Sequence, residues 1–413
     1  MKRLGLITAV SIAIAAAVFA QSNQRGAASV APGDWHNINR DSGATRFSPL
    51  NQINAGNVAN LKQAWTFAMT GGGSSVPLVV NGVMFVSSGR RVVAIDGESG
   101  KEVWEFTLPA PAAAAAPSAV QQEPAAAPPA AAPAGAPAAG VAPGQGDGRR
   151  GGGPGGGGRA GGGPGGGGGG RGGGGGPTAS QRGVSYWPGD GANGPRILFM
   201  GGNRLYAIDA ATGKPAAGFG ENGSIAVGAV SYGGTPTIYR NVAIIGAATQ
   251  EVPQGPPGNP RAFDVVTGKK LWEFWSVAQP GQPGHETWGM ASSNNSGGWQ
   301  QRSGANMWAF HAPVDAERGI VYIPIGSPAT NYYGGDRPGN NAYGNSIIAV
   351  EAQTGKYLWH FQTVHHDIWD TDMPTAGALF DFVQGGRRIP AIAHVGKSSY
   401  VYVLDRVTGK PLI

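Results

Sequence analysis

One phrase, present in five copies, constrains this chain more than anything else in it. It first reads Ala94-Ile-Asp96-Gly-Glu-Ser-Gly100-Lys-Glu-Val-Trp104, then Ala207-Ile-Asp209-Ala-Ala-Thr-Gly213-Lys214. It returns as Ala262-Phe-Asp264-Val-Val-Thr-Gly268-Lys-Lys-Leu-Trp272 and Ala349-Val-Glu351-Ala-Gln-Thr-Gly355-Lys-Tyr-Leu-Trp359, and last as Val403-Leu-Asp405-Arg-Val-Thr-Gly409-Lys410. Each copy predicts strand, tight turn, strand: the Asp and Thr side chains close the turn and the Gly takes a positive φ. Runs such as Gly82-Val-Met-Phe-Val-Ser and Gly319-Ile-Val-Tyr-Ile-Pro predict a further strand before most copies. One such unit cannot bury both its faces, so the units must stack. Stacking them radially around a channel gives a β-propeller, in which the Trp closing the phrase can pack across to the next blade. An open sandwich with hairpins alike by chance is the alternative, and five copies of one phrase weigh against it. No long amphipathic helix pattern interrupts the repeats, so the expected class is all-β.

Other segments are different in kind. From about Pro109 to Thr178 the chain is Ala/Pro-rich and then Gly-rich, with Arg149, Arg150, Arg159 and Arg171 scattered through it. It has almost no apolar side chains to offset the entropy of ordering, and it reads as a disordered insertion. That divides the chain into a first propeller part at 30–108, the insertion at 109–178 and further blades at 179–413. Met1-Lys2-Arg3, the apolar run Leu4 to Phe19 and the small Ala20 read as a secretory signal at 1–20, with an uncleaved anchor as the alternative. The expectation is export to the periplasm, with no transmembrane span in the mature chain. The absence of Cys excludes disulfides, zinc thiolates and thiol nucleophiles. Net charge is +6 but charged residues are only 13% of the chain, with several arginines in the Gly-rich tract. That balance does not argue for nucleic acid, and the tract lacks the interleaved aromatics of an RNA binder.

Further phrases carry a family resemblance. Asp34-Trp35, Gly43-Ala-Thr-Arg46-Phe-Ser-Pro-Leu50, Gln52-Ile-Asn54 and Asn57-Val-Ala-Asn-Leu61-Lys-Gln-Ala-Trp65 stand near the start. Arg182-Gly-Val-Ser-Tyr186, Pro256-Pro-Gly258, His285-Glu-Thr-Trp288 and Gly304-Ala-Asn-Met-Trp308 follow. The most specific is Trp359-His-Phe-Gln362-Thr-Val-His365-His366-Asp367-Ile-Trp369-Asp370-Thr-Asp372-Met-Pro374. Together they resemble the quinoprotein dehydrogenases, which use pyrroloquinoline quinone (PQQ) and calcium (Ca2+). The His-His form with a lysine downstream resembles the glucose-dehydrogenase branch more than the methanol-dehydrogenase branch. The family's propeller is eight-bladed, and the repeats here supply material for about five blades.

The resemblance assigns roles residue by residue. Asp370 matches the catalytic base that takes the substrate's hydroxyl proton. Lys397 matches the active-site cation that hydrogen-bonds the quinone oxygen. Arg182 matches the arginine that pairs with a cofactor carboxylate, and Trp308 the tryptophan against which the ring stacks. Glu251, Ser327 and Asp370 stand where the calcium ligands do, Ser327 replacing the family's usual Asn. Asp367 and Asp372 are further acids beside the base, and His365 and His366 could bind substrate or order Asp370. The chain departs from the family pattern at Gly233, where a cofactor-facing hydroxyl is usual, and around Ser74-Ser75, where an acid is often found. The implied activity is oxidation of an alcohol, polyol or aldose, with electrons passing to a quinone or a cytochrome c. A non-catalytic propeller scaffold of the same repeat type, engaged in protein–protein contacts in the cell envelope, is the rival.

Overall fold

The computed structural model describes residues 31–69, 75–110, 179, 182–228, 234–247, 258–288, 304–307 and 311–413. Residues 1–30, which include the expected signal, and 111–178, nearly all of the expected insertion, lie outside the described residues. Glu251 and Trp308 lie outside them too.

Every copy of the repeated phrase folds as its residues demand. Asp96 Oδ1 accepts the Ser99 N–H at 2.7 Å, Asp209 Oδ1 the Thr212 N–H at 2.8 Å, and Asp264 Oδ1 the Thr267 N–H at 2.7 Å. The following glycines, Gly100, Gly213, Gly268, Gly355 and Gly409, all have φ between 68° and 77°. That left-handed region favours glycine.

The strands flanking these turns build five sheets among the described residues, each an antiparallel meander in chain order. Sheet 1 is β1 Leu78–Val80, β2 Val83–Ser88, β3 Arg91–Asp96 and β4 Glu102–Thr107. Sheet 2 is β5 Ser185–Trp187, β6 Arg196–Gly201, β7 Arg204–Asp209 and β8 Ser224–Ala226. Sheet 3 is β9 Thr237–Tyr239, β10 Val242–Ile245, β11 Arg261–Asp264 and β12 Lys270–Glu273. Sheet 4 is β13 Val314–Asp315, β14 Ile320–Pro324, β15 Ser346–Glu351 and β16 Tyr357–Gln362. Sheet 5 has three strands, β17 Ala378–Gln384, β18 Arg387–Val395 and β19 Val401–Asp405. Among the described residues the helices are short 3-10 turns, Val58–Asn60 and His285–Trp288.

The core lies between the sheets, and strand alternation decides which neighbour each side chain meets. Ile197, Phe199, Tyr206 and Ile208 of sheet 2 pack with Leu78, Phe85, Val92 and Trp104 of sheet 1. The alternate residues Leu198, Met200, Leu205 and Ala207 pack with Ala243, Ile245 and Phe263 of sheet 3. Val242, Ile244 and Trp272 then meet Val321, Ile323 and Ile348 of sheet 4. Tyr322, Ile347 and Trp359 meet Ile392 and Leu404 of sheet 5. Inner sheets are thus buried on both faces, which is why β6, Arg196–Gly201, is buried at every position. The first strands also bond in sequence: Val76 bridges Gly183 in parallel, Ser185 donates to Pro236 O, and Ala312 N donates to Thr237 Oγ1 at 2.9 Å. This is the radial stacking of a β-propeller.

Candidate active site

The two ends of these sheets differ in what they carry. Within a sheet the chain reverses at every strand, so second and fourth strands finish at the end where the first begins. Arg182 precedes β5, Ser327 follows β14, Asp370 follows β16 and Lys397 follows β18. All four therefore belong to one end, and the Asp/Gly turns of the repeats occupy the other.

At this end Asp370 and Lys397 meet. Lys397 Nζ donates to Asp370 Oδ2 at 2.7 Å and lies 2.6 Å from Asp372 Oδ2. Asp367 organises the approach. Its Oδ1 accepts the Trp369 N–H at 3.0 Å and its Oδ2 the Thr371 N–H at 2.8 Å. Folding that short stretch around one carboxylate leaves Asp370 at the apex with φ of 57°. A left-handed Asp costs of order 1–3 kcal/mol and persists where neighbours over-determine it. Asn331 is one such neighbour, donating from Nδ2 to Asp370 Oδ1 at 2.9 Å.

Lys397 is held from the other side. Its backbone N–H donates to Asp372 O at 2.9 Å, and the Ser327 N–H donates to Asp372 Oδ1 at 2.7 Å. The turn needs a glycine next to the lysine: a Cβ on Gly396 would run into Met373 Sδ and Asp372 O. Burial pushes the Asp372 carboxyl above the usual carboxylate range and the Asp370 charge adds to this, while Lys397 opposes both. Burial pulls the Lys397 ammonium down, but its bonds to Asp370 and Asp372 outweigh burial and hold it above its ordinary range. Lys397 is therefore charged at neutral pH, and its side chain is 37% exposed, within reach of a ligand.

Ser327 and Asp367 form the floor. Ser327 Oγ donates to Asp367 Oδ2 at 2.6 Å and accepts from Asn345 Nδ2 at 3.0 Å. Burial raises the Asp367 carboxyl, but bonds from Ser327 and Thr371 outweigh it and hold it below the usual range. Buried Arg337 ties the loop between β14 and β15 to this floor, donating to Asn341 Oδ1 at 2.7 Å, to Thr330 O at 3.0 Å and to Asp367 O. His366 Nδ1 donates to Gly339 O at 2.8 Å, so its ring anchors that loop. Arg182 is half-buried, and burial lowers its guanidinium.

The donor chemistry of this end suits an acceptor-rich anionic ring, since Lys397 and Arg182 are cations at the same end and Lys397 is accessible. For a hard cation the charge is suitable: Asp370 and Asp372 together exceed the one ammonium between them. Ser327 Oγ keeps a lone pair beyond its two bonds. Among the described residues, however, no three His, Asp or Glu are grouped to hold a metal ion. Asn331, Arg337 and Asn345 escaped the sequence reading. Their one signal is a long strand-free stretch, rich in Gly and Asn, between two buried strands, a pattern that accompanies function.

Comparison with known proteins places the fold in a family. The family model for the PQQ "Glucose/ethanol/alcohol dehydrogenase, beta-propeller domain" matches residues 35–126 and 171–413. Quinoprotein glucose dehydrogenase A of Acinetobacter calcoaceticus is 29% identical over 93% of this chain and 44% of its own length. Quinate/shikimate dehydrogenase (quinone) of Acinetobacter baylyi is 30% identical, over 92% of this chain and 43% of its own. The crystal structure of quinohemoprotein alcohol dehydrogenase from Comamonas testosteroni superposes with a TM-score of 0.65 at 25% identity, covering 92% of this chain and 48% of that one. The chain spans a little under half the length of these relatives. With the family model matched over most of its residues, it belongs to the PQQ-dependent glucose/ethanol/alcohol dehydrogenase family of β-propellers.

Proposed function

We propose that this chain carries the cofactor- and substrate-binding end of a periplasmic, calcium-dependent quinoprotein that oxidises the hydroxyl of an alcohol, polyol or aldose. The observation that supports it most is Lys397 Nζ lying 2.7 Å from Asp370 Oδ2 and 2.6 Å from Asp372 Oδ2 on one sheet end. PQQ, when bound, supplies the ortho-quinone that accepts the hydride. The chain's own residues do the rest. Asp370, steadied by Asn331 and Lys397, takes the hydroxyl proton on a carboxylate lone pair. Lys397, kept charged by its two carboxylates, would hydrogen-bond the quinone oxygen and favour negative charge there. Arg182 would pair with a cofactor carboxylate, and Trp308 is the residue that would stack on the ring. Glu251, Ser327 and Asp370 are the residues that would hold calcium. Electrons leave to a quinone or a cytochrome c.

A dye-linked dehydrogenase assay with PQQ and calcium added, run over alcohols, polyols and aldoses, tests this reading. The expected outcome is turnover with at least one class, reduced about 10²–10⁴-fold in Asp370→Asn, whose amide keeps the shape but cannot take a proton. Turnover within a few-fold of wild type in that variant removes Asp370 as the base. No turnover with any class supports the non-catalytic scaffold instead.

A further inference from the structure

A cavity of about 440 Å³ lies along the first strands β5, β9 and β13 and reaches the end of the sheets opposite Asp370. Its walls include Gly189, Arg240, Asn241 and Ala316, in the connections that leave the first strands β5, β9 and β13. Ser185 and His311, at the starts of first strands, also line it, so the cavity runs along the first strands, while Ser327 and Lys397 follow second strands. The N-terminal segment closes the cavity, contributing His36, Arg40 and Asp41. That segment is fixed at both ends: Trp35 N–H donates to Val79 O at 2.7 Å, and Ser42 O accepts the Val314 N–H at 2.6 Å.

The lining holds buried nitrogens that the protein does not satisfy. Arg40 Nε and His311 Nδ1, both on cavity-lining residues, are buried without a hydrogen-bond partner. His311 is 2% exposed, and burial pulls its imidazole down to about 4, so it is neutral at pH 7. An unmet buried donor costs of order 1–3 kcal/mol, so Arg40 Nε favours an occupant that brings an acceptor to it. A second cation faces the cavity: Arg240 stands 5.2 Å over the Tyr239 ring. The one lining carboxylate, Asp41, is engaged locally, Oδ1 accepting the Thr45 N–H at 3.1 Å and Oδ2 lying 3.5 Å from Arg40 Nη1. Tyr186, packed against His36 at 5.4 Å, and Tyr239 give the cavity flat apolar walls.

We propose that this cavity binds a small carboxylate-bearing molecule, its acidic group held by Arg40 and Arg240 and its body lying against Tyr186 and Tyr239. The inference does not depend on the dehydrogenase reading, because Arg40, Arg240, Tyr186 and Tyr239 are given no part in it. Calorimetric titration of the full chain with citrate tests it, with inorganic phosphate and glucose as comparison ligands. Saturable one-to-one binding of citrate is expected, weakened about tenfold or more in Arg40→Ala and in Arg240→Ala, the loss typical of a charged hydrogen bond. Binding is partly restored in Arg40→Lys and unchanged in Lys214→Ala, an exposed turn lysine. Thermal unfolding of each variant separates lost binding from lost fold, and Arg240→Ala, on an exposed turn, carries the test if Arg40→Ala does not fold. No saturable binding of citrate overturns the proposal. So does binding that both alanine variants leave within twofold, equal binding of phosphate, or equal binding of glucose.

Discussion

Two carboxylates sharing one ammonium is the residue-scale feature from which the functional reading grows. Asp370 and Lys397 were legible in the sequence because a motif gives their spacing. Asp372 was legible only as an acid two residues on, since its hold on Lys397 depends on a turn that wraps around Asp367. Asn331, Arg337 and Asn345 were illegible, because a polar residue in a long loop has no periodicity to mark it. Titration at this scale also governs stability in acid. Burial pulls both His311 and His394 down to about 4 from an ordinary 6.5. The folded chain thus prefers neutral rings, while the unfolded chain takes up protons below pH 6.5. Their contribution is complete above pH 6.5 and is lost as pH falls towards 4, by roughly 3 kcal/mol for each ring. Urea unfolding at pH 7 and pH 4.5 should show that loss, and His394→Gln should shrink it. A wild-type stability flat across this interval contradicts the assignment.

The unit of construction at the element scale is a tryptophan docked on the next sheet's turn. Trp104 Nε1 donates to Ala210 O at 3.0 Å, Trp272 to Ala352 O at 3.1 Å and Trp359 to Arg406 O at 3.3 Å. In each case the indole also fills the space beside the turn glycine, Gly213, Gly355 or Gly409. The repeated phrase made this packing legible from sequence. Its exception was not. The second copy lacks the Trp, and there Ile225 and Phe219 cover Gly268 while Arg196 takes over the hydrogen bond, Nη1 donating to Val265 O at 2.8 Å. Arg196 also reaches Val266 O at 2.8 Å and Ala217 O at 2.9 Å, and only 5% of it is exposed. A lone arginine opening a strand carries no sequence signal for that role, because its partners are backbone carbonyls distant in the chain. Arg196→Ala strips three carbonyls of their donor and is expected to cost about 2–4 kcal/mol in urea unfolding, with Arg196→Lys recovering part of it. A loss under about 0.5 kcal/mol would show that water replaces the guanidinium at no cost.

Sheets 1 to 5 follow one another around the ring in chain order, and the long low-complexity tract interrupts them at a single point. Leu108 N–H donates to Arg90 O at 2.8 Å and Ala179 N–H to Gly89 O at 2.7 Å, so the chain leaves and re-enters at the same turn. Deleting 111–176 behind a short linker should therefore shift Tm by no more than a few degrees, since loop closure depends only weakly on length. Collapse of the shortened chain would show that the tract supports the fold. Segment 61–67 behaves like a fourth strand at the other side of sheet 1: Trp65 Nε1 donates to Gly97 O at 3.1 Å and its indole covers Gly100. Leu61 is 60% exposed. The sequence concealed this because Trp65 follows no copy of the repeated phrase. The central claim, that the Asp370–Lys397 end takes the quinone, is tested most directly by equilibrium dialysis of PQQ against the 413-residue chain in the presence of calcium. The account predicts one saturable site, weakened about tenfold or more by Lys397→Ala and left in place by Arg240→Ala at the opposite end. Absence of binding, or binding indifferent to Lys397→Ala, would contradict it.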